Sequence, residues 1–157
     1  VWLLKYRGIK EVANIFADWL YEILLDELTE ASSYREVGGK ILIVPIPLSK
    51  KRERARGYNQ AEEIAKKLQA LDPKLFRLET NNLIKIKDTP AQVKVKNRTE
   101  RLNNLHGVFR VQNRRIFRGR TVILLDDVST TGTTLAEASR TLERAKPRKI
   151  IRVAVAS

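Results

Sequence analysis

The chain has no cysteine and no methionine, one histidine, five prolines and seven glycines in 157 residues. Without cysteine there is no disulfide framework, no thiolate zinc site and no cysteine nucleophile. The lone histidine, His106, offers neither a metal cluster nor a triad partner and reads as structural. Aromatic residues make up only 6%, which limits the platforms on which single-stranded nucleic acid stacks. Tyr6, Tyr34 and Tyr58 are the candidates for that role. No apolar run approaches the roughly 18–20 residues that span a bilayer. Lys5, Arg7 and Lys10 interrupt the first apolar residues, where a secretory segment would need an unbroken stretch. No membrane insertion and a cytoplasmic location are therefore expected. The chain begins at Val1, as expected of a removed initiator or of a piece of a longer protein.

What is abundant is positive charge. Lys and Arg number 31 against 18 Asp and Glu, a formal net charge of +13. Such an excess attracts polyanions: nucleic acid, phosphorylated metabolites or an acidic partner. The apolar fraction of 43% is near the globular norm. The length, with no repeat and no linker, predicts one domain over residues 1–157.

Hydrophobic periodicity predicts a helix over 9–28, where Ile9, Val12, Phe16, Leu20, Ile23 and Leu24 recur at steps of three and four. Trp19 lies beside that stripe and is expected in the core. After the Gly38-Gly39 turn signal, Ile41 to Val44 reads as a strand covered on both faces, stopped by Pro45 and Pro47. A helix is expected over 58–71. Leu83, Ile84 and Ile86 begin a strand, and Val108, Phe109 and Val111 return to one. Between them, residues 87–104 are polar and too long for an ordinary connection, so a functional loop competes with a plain surface loop. Val122 to Leu125 is the clearest buried strand, Leu135 to Arg144 is helical, and Ile150 to Val155 is a last strand. Strands alternating with helices predict an α/β fold with a parallel sheet.

The sharpest signal runs from Val122 to Thr134. A buried strand ends in Asp126-Asp127; Ser129, Thr130, Thr131, Gly132, Thr133 and Thr134 follow, and a helix starts. Ligands of open α/β sheets bind beyond the carboxyl ends of strands, and a helix start suits a phosphate. The hydroxyls add donors and Gly132 lets backbone approach closely. The two acids repel a phosphate; they suit sugar hydroxyls or a nearby divalent ion. The plainer reading is a capped helix, but capping needs one or two such residues rather than two acids and five hydroxyls.

A second signal follows the first strand. Between Lys50 and Arg56 lie five cations, then Gly57. Basic runs are commonly solvated faces. This one leaves the end of a core strand, on the edge where the hydroxyl loop lies, and the arginine fork suits phosphate.

The stretch from Val122 to Thr134 resembles the phosphoribosyl-pyrophosphate (PRPP) motif of type I phosphoribosyltransferases. That resemblance implies their fold, a Rossmann-like, mostly parallel sheet flanked by helices. It implies that Asp126 and Asp127 bind the ribose hydroxyls, and that Ser129, Thr130, Thr131, Gly132, Thr133 and Thr134 hold the 5′-phosphate. It also implies Mg²⁺ as cofactor, held directly or indirectly by Asp126 and Asp127, and a pyrophosphate loop formed by Pro47, Leu48, Arg52, Arg56 and Gly57. Hypoxanthine-type salvage enzymes carry an Asp where this chain has Thr130, which argues against that role.

Pro45-Ile46-Pro47-Leu48, Arg52 and Arg56-Gly57-Tyr58-Asn59-Gln60 look like the ComF-type competence family. Leu4 to Gly8 agree, as do Thr89, Gln92, Glu100-Arg101 and Gly107-Val108-Phe109. Members usually carry an N-terminal cysteine-rich zinc segment, and this chain has no Cys. The resemblance implies a PRPP-dependent transferase that displaces pyrophosphate from C1, with Asp126, Asp127 and Arg101 as candidate catalytic residues. The long loop would close over the site, with Lys85, Lys87, Arg98 and Arg101 bringing charge to the pyrophosphate. The family name links it to DNA uptake, with single-stranded DNA and other competence proteins as partners. The alternatives are a PRPP-binding regulator without turnover and a single-stranded DNA-binding competence factor.

Overall fold

The computed structural model describes residues 9–29, 39–49, 53–55, 57–87, 107–128 and 132–156. Helix α1 (Ile9–Thr29) precedes strand β1 (Ile41–Pro45), helix α2 (Gln60–Leu71) and strand β2 (Phe76–Leu78). Two short strands follow, β3 (Leu83–Lys85) and β4 (Phe109–Val111). A 3₁₀ turn over Arg114–Ile116 leads to β5 (Thr121–Val128), helix α3 (Thr133–Glu143) and β6 (Lys149–Ala156).

Four strands form a parallel sheet in the order β2-β1-β5-β6. β3 and β4 form a separate antiparallel ribbon. Side-chain alternation along each strand splits the core in two. Ile41, Ile43, Ile123 and Leu125 face Leu20 and Leu24 of α1 and Ile64 and Leu68 of α2. Leu42, Val44, Val122 and Leu124 face Leu135, Ala138 and Leu142 of α3, together with Leu83 and Phe109 of the ribbon. The central strands are thus covered on both sides, which is why they read as unbroken apolar runs.

From β1 the chain crosses through α2 to β2 on one side; from β5 it crosses through α3 to β6 on the other. With one crossover hand, opposite directions require helices on opposite faces, as observed. The sheet order therefore reverses between β1 and β5. The carboxyl ends of those strands form the crevice where ligands of open α/β sheets bind.

The expected helices and strands are present with shifts of one to three residues at their ends. Strand β2 was not expected. Three residues are too few for a period to show, and Asp72 builds the turn before it by accepting from the N–H groups of Lys74 and Leu75 at 3.0 and 2.9 Å. Trp19 is a correction. It was expected in the core and is 55% exposed. Ile23, counted on the buried stripe, is also exposed. Leu20 and Leu24 of the expected stripe enter the core, with Phe16 packed against it, and Ala17 joins them in place of Ile23. Tyr21 at its flank packs edge-on to Phe76, ring centroids 6.2 Å apart. The helix is apolar over more of its circumference than is covered, so periodicity alone drew the stripe too wide, taking in Ile23 and Trp19. Among the described residues no helix is long and apolar enough to cross a membrane.

Candidate functional site

Strand β5 brings Asp126 and Asp127 to the crevice. Asp126 is only 8% exposed, and Asp127 is half-buried. The backbone N–H of Asp127 donates to Oδ1 of Asp126 at 3.0 Å, and the two side chains also share a hydrogen bond. Burial, then the charge of Asp127, then that shared bond push the Asp126 carboxyl up from 3.8 to about 7. The Asp127 N–H and the charge of Lys85 oppose the rise. Near neutral pH the Asp126 carboxyl therefore still binds a proton.

Lys85 comes from β3, and its ammonium sits 5.9 Å from the centre of the Phe109 ring on β4. The antiparallel ribbon thus brings a cation within electrostatic reach of Asp126. The ribbon is tied to α3 as well, since the N–H of Gly107 donates to Oε1 of Glu137 at 2.7 Å.

The loop after β1 starts beside the acids. Pro45 pairs with Leu125, and the N–H of Ile46 donates to the Leu125 carbonyl at 2.8 Å, one residue before Asp126. Pro47 and Leu48 are half-buried and Ser49 is buried. Downstream, the N–H of Glu53 donates to Ser49 O at 2.9 Å and that of Gly57 to Glu53 O at 2.8 Å. Gly57 has φ 77°, a left-handed conformation that explains glycine there. Asn59 closes the loop from below. Its Nδ2 donates to Ile46 O at 3.0 Å, and its Oδ1 accepts from Ala61 N–H at 3.2 Å, capping α2. The clamp on Ile46 was missed in the sequence. An Asn just before a helix signals a cap, but nothing local shows a second bond thirteen residues back.

Beyond β5, Gly132 is the N-cap of α3 in a left-handed conformation, φ 67°. It has no side chain, so the cap position itself is not filled by a Ser or Thr. Thr133 is buried and Thr134 half-buried in the first turn. The structure therefore brings Asp126, Asp127, Gly132, Thr133 and Thr134 to one end of the sheet, with Pro47, Leu48 and Gly57 in the adjoining loop. Arg52, Arg56, Arg101, Ser129, Thr130, Thr131 and most of the 87–104 loop lie outside the described residues. A cavity of about 350 Å³ between α3 and β6, lined by Ser139, Glu143, Arg148 and Arg152, sits toward the opposite end of β6 and is no part of this site.

Residues 54–157 match the phosphoribosyl transferase domain family. The chain belongs to this family. It is 35% identical over 138 residues to competence protein ComFC of Bacillus subtilis (strain 168), covering 88% of this chain and 50% of that protein. It is 39% identical over 107 residues to competence protein F of Haemophilus influenzae, covering 65% and 44%. The chain thus spans about half the length of the curated relatives it matches, and these likenesses bear out the ComF-type assignment. Among solved structures, a hypoxanthine phosphoribosyltransferase from Trypanosoma cruzi, in complex with its product IMP, aligns with a TM-score of 0.54. Identity is 12%, over 92% of this chain and 64% of that one. A mutant from a study of an invariant aspartic acid in such enzymes gives the same TM-score, over 92% and 67%. At that identity the likeness carries the fold alone: this is a type I phosphoribosyltransferase fold.

Proposed function

We propose that this domain binds PRPP at the β1–β5 crevice and transfers its phosphoribosyl group to an acceptor. The observation that carries the reading is the Asp126–Asp127 pair at the end of β5, beside the strand-order reversal, on the strand that leads into a glycine-capped helix start. Carboxylates accept from the ribose 2′- and 3′-hydroxyls, while the helix start and the 129–134 loop take the 5′-phosphate. The Pro47–Gly57 loop, with Arg52 and Arg56, serves the pyrophosphate.

Chemically, a bond forms between the acceptor and C1 as the C1–oxygen bond breaks. Pyrophosphate leaves with the electron pair, and the acceptor gives up its proton. Positive charge builds on the ribose ring, as in other glycosyl transfers. Asp126 and Asp127 orient the ring, and the arginines stabilise the leaving group.

The donor set fits Mg²⁺. Asp126 and Asp127 are hard oxygen ligands whose mutual repulsion a cation relieves. Asp126 and Asp127 are the residues that would hold it, one or two carboxylates being the usual protein share of a Mg²⁺ site. When bound, Mg²⁺ would neutralise the pyrophosphate charge.

The competence names of the relatives and the charge of +13 support a role beside single-stranded DNA during uptake. The test of the site itself is calorimetry with PRPP and Mg²⁺. Binding by the wild type and a large loss in Asp126→Asn/Asp127→Asn are expected. Arg56→Ala should weaken PRPP far more than ribose 5-phosphate. Equal PRPP binding by the wild type and the double variant would sink the assignment.

A further inference from the structure

We propose that the cavity between α3 and β6 binds a small phosphorylated metabolite of the sugar-phosphate class, at a site outside the crevice. The first observation is a charge among apolar neighbours. After its first residue, β6 (Lys149–Ala156) is apolar at every position except Arg152. Ile150 and Ala154, two residues to either side of it, pack under α3. Strand alternation puts Arg152 on that same face. Its partner in register is Leu124, which is buried. β1 and β5 fill this face with Leu42, Val44, Val122 and Leu124.

The second observation is the opposite wall. Ser139 and Glu143 stand one turn apart on α3 and line the cavity with Arg148 and Arg152. The other flank of the helix is engaged elsewhere, since Glu137 holds Gly107 of the ribbon at 2.7 Å. Ser139 is only 7% exposed. Among the described residues its hydroxyl has no hydrogen-bond partner, yet the atom is not sealed off, so it opens on the cavity. A buried hydroxyl aimed into a cavity beside an arginine is suited to donate to an oxyanion.

The third observation is the local charge. From Arg144 to Arg152 the chain has five cations and no acid. Lys149 is held by Glu27 of α1 at 2.9 Å, while Arg148 and Arg152 serve the cavity. α3 runs back from the crevice to the start of β6, so Glu143 lies toward Arg148 and Ser139 toward Arg152. The rise from Ser139 to Glu143 is about 6 Å. A phosphate on the Arg152 fork and the Ser139 hydroxyl therefore leaves Glu143 about one sugar ring away. There a carboxylate accepts from hydroxyls and repels a second phosphate. That selects a monoester bearing hydroxyls over a polyphosphate or a phosphodiester chain. The cavity volume of about 350 Å³ suits a ligand of this size.

A plainer reading is that Arg152 lays its stem over apolar surface and keeps its head in water. Backbone amide shifts of the isotope-labelled chain separate the two. The probes are inorganic phosphate and ribose 5-phosphate at about 150 mM salt. Both should shift the amides of Ser139, Ile150 and Arg152, ribose 5-phosphate at lower concentration. Arg152→Leu and Ser139→Ala should keep the circular dichroism of the wild type and each weaken ribose 5-phosphate at these amides about tenfold or more. Shifts at Gly132–Thr134 report the proposed PRPP site separately and should not change in either variant. Glu143→Gln should narrow the preference for ribose 5-phosphate over phosphate. No shift at residues 139–152 below about 10 mM ribose 5-phosphate would overturn the proposal. So would an unchanged affinity in Arg152→Leu, which leaves Arg152 as a solvated edge residue. A single-stranded oligonucleotide that binds these amides more tightly per phosphate than ribose 5-phosphate would also overturn it, and would assign the cavity to a polyanion chain.

Discussion

Asp126 folds at a cost set by its burial. A carboxyl raised from 3.8 to about 7 binds its proton more tightly in the folded chain than in the unfolded one. The stability linked to that proton is fully present below pH 4 and is lost as the pH rises through about 7. Asp126→Asn removes the pH-dependent part while its amide can still accept from the Asp127 N–H. The variant should therefore melt higher than the wild type at pH 8, with a smaller gap at pH 5. Each 1 kcal/mol moves the midpoint by about 2–4 °C at this size. Thermal denaturation at the two pH values checks this, and a variant less stable at pH 8 would count against the acid pair as a source of strain. The same proton competes with a cation. Mg²⁺-dependent PRPP affinity should rise by up to about tenfold per pH unit between pH 5.5 and 7, then level off, as calorimetry would read.

At the scale of elements, one side chain holds the loop after β1 to the helix that follows it. Asn59 clamps Ile46 O through Nδ2 and caps α2 through Oδ1, and the two roles can be separated. Asn59→Asp keeps the capping acceptor and loses the donor; Asn59→Ala loses both. Urea denaturation should show a loss of about 1 kcal/mol for Ala and less for Asp. PRPP affinity should fall in both, because Ile46 also holds Leu125, next to the acids. An Asp variant that binds as the wild type does would remove Asn59 from the site. Much of this layer was legible in the chain. Ile41–Val44 and Val122–Leu125 are apolar at consecutive positions because both faces are covered, and Asp126-Asp127 stand out where that apolarity stops. Two things were not legible. The burial of α1 depends on which arc the sheet covers, so Trp19 came out exposed against expectation. The charge of Lys85 at Asp126 depends on a ribbon paired across 24 residues of sequence, and no local spacing encodes that pairing.

Across the whole molecule, charge is divided between the two ends of the sheet. The crevice end carries the acid pair, with the Lys50–Arg56 run in the loop beyond β1. Arg114, Arg115 and Arg118 are exposed on the turn that leads into the other end of β5. Gly119 N–H donates to Lys146 O at 3.0 Å and Arg148 N–H to Arg120 O at 2.9 Å, so this turn is bonded to the one before β6. The five residue steps from Thr121 to Asp126 separate this basic end from the acid pair by about 17 Å. A DNA strand on the basic end would leave the proposed PRPP site free, whereas one on the Lys50–Arg56 run would have to share it. The acid pair at the crevice end also repels a phosphodiester chain, which favours the basic end. Single-stranded DNA and PRPP should therefore bind together without mutual loss of affinity. Arg114→Glu/Arg118→Glu should weaken DNA and leave PRPP unchanged, and should flatten the salt dependence by about 0.7 in log–log slope for each phosphate no longer neutralised. Titrating labelled single strands at about 150 mM salt, with and without saturating PRPP, decides the layout. Displacement of DNA by PRPP would move the DNA contact to the crevice. Binding that vanishes at that salt, with no preference over duplex, would reduce the basic end to a general attraction for polyanions.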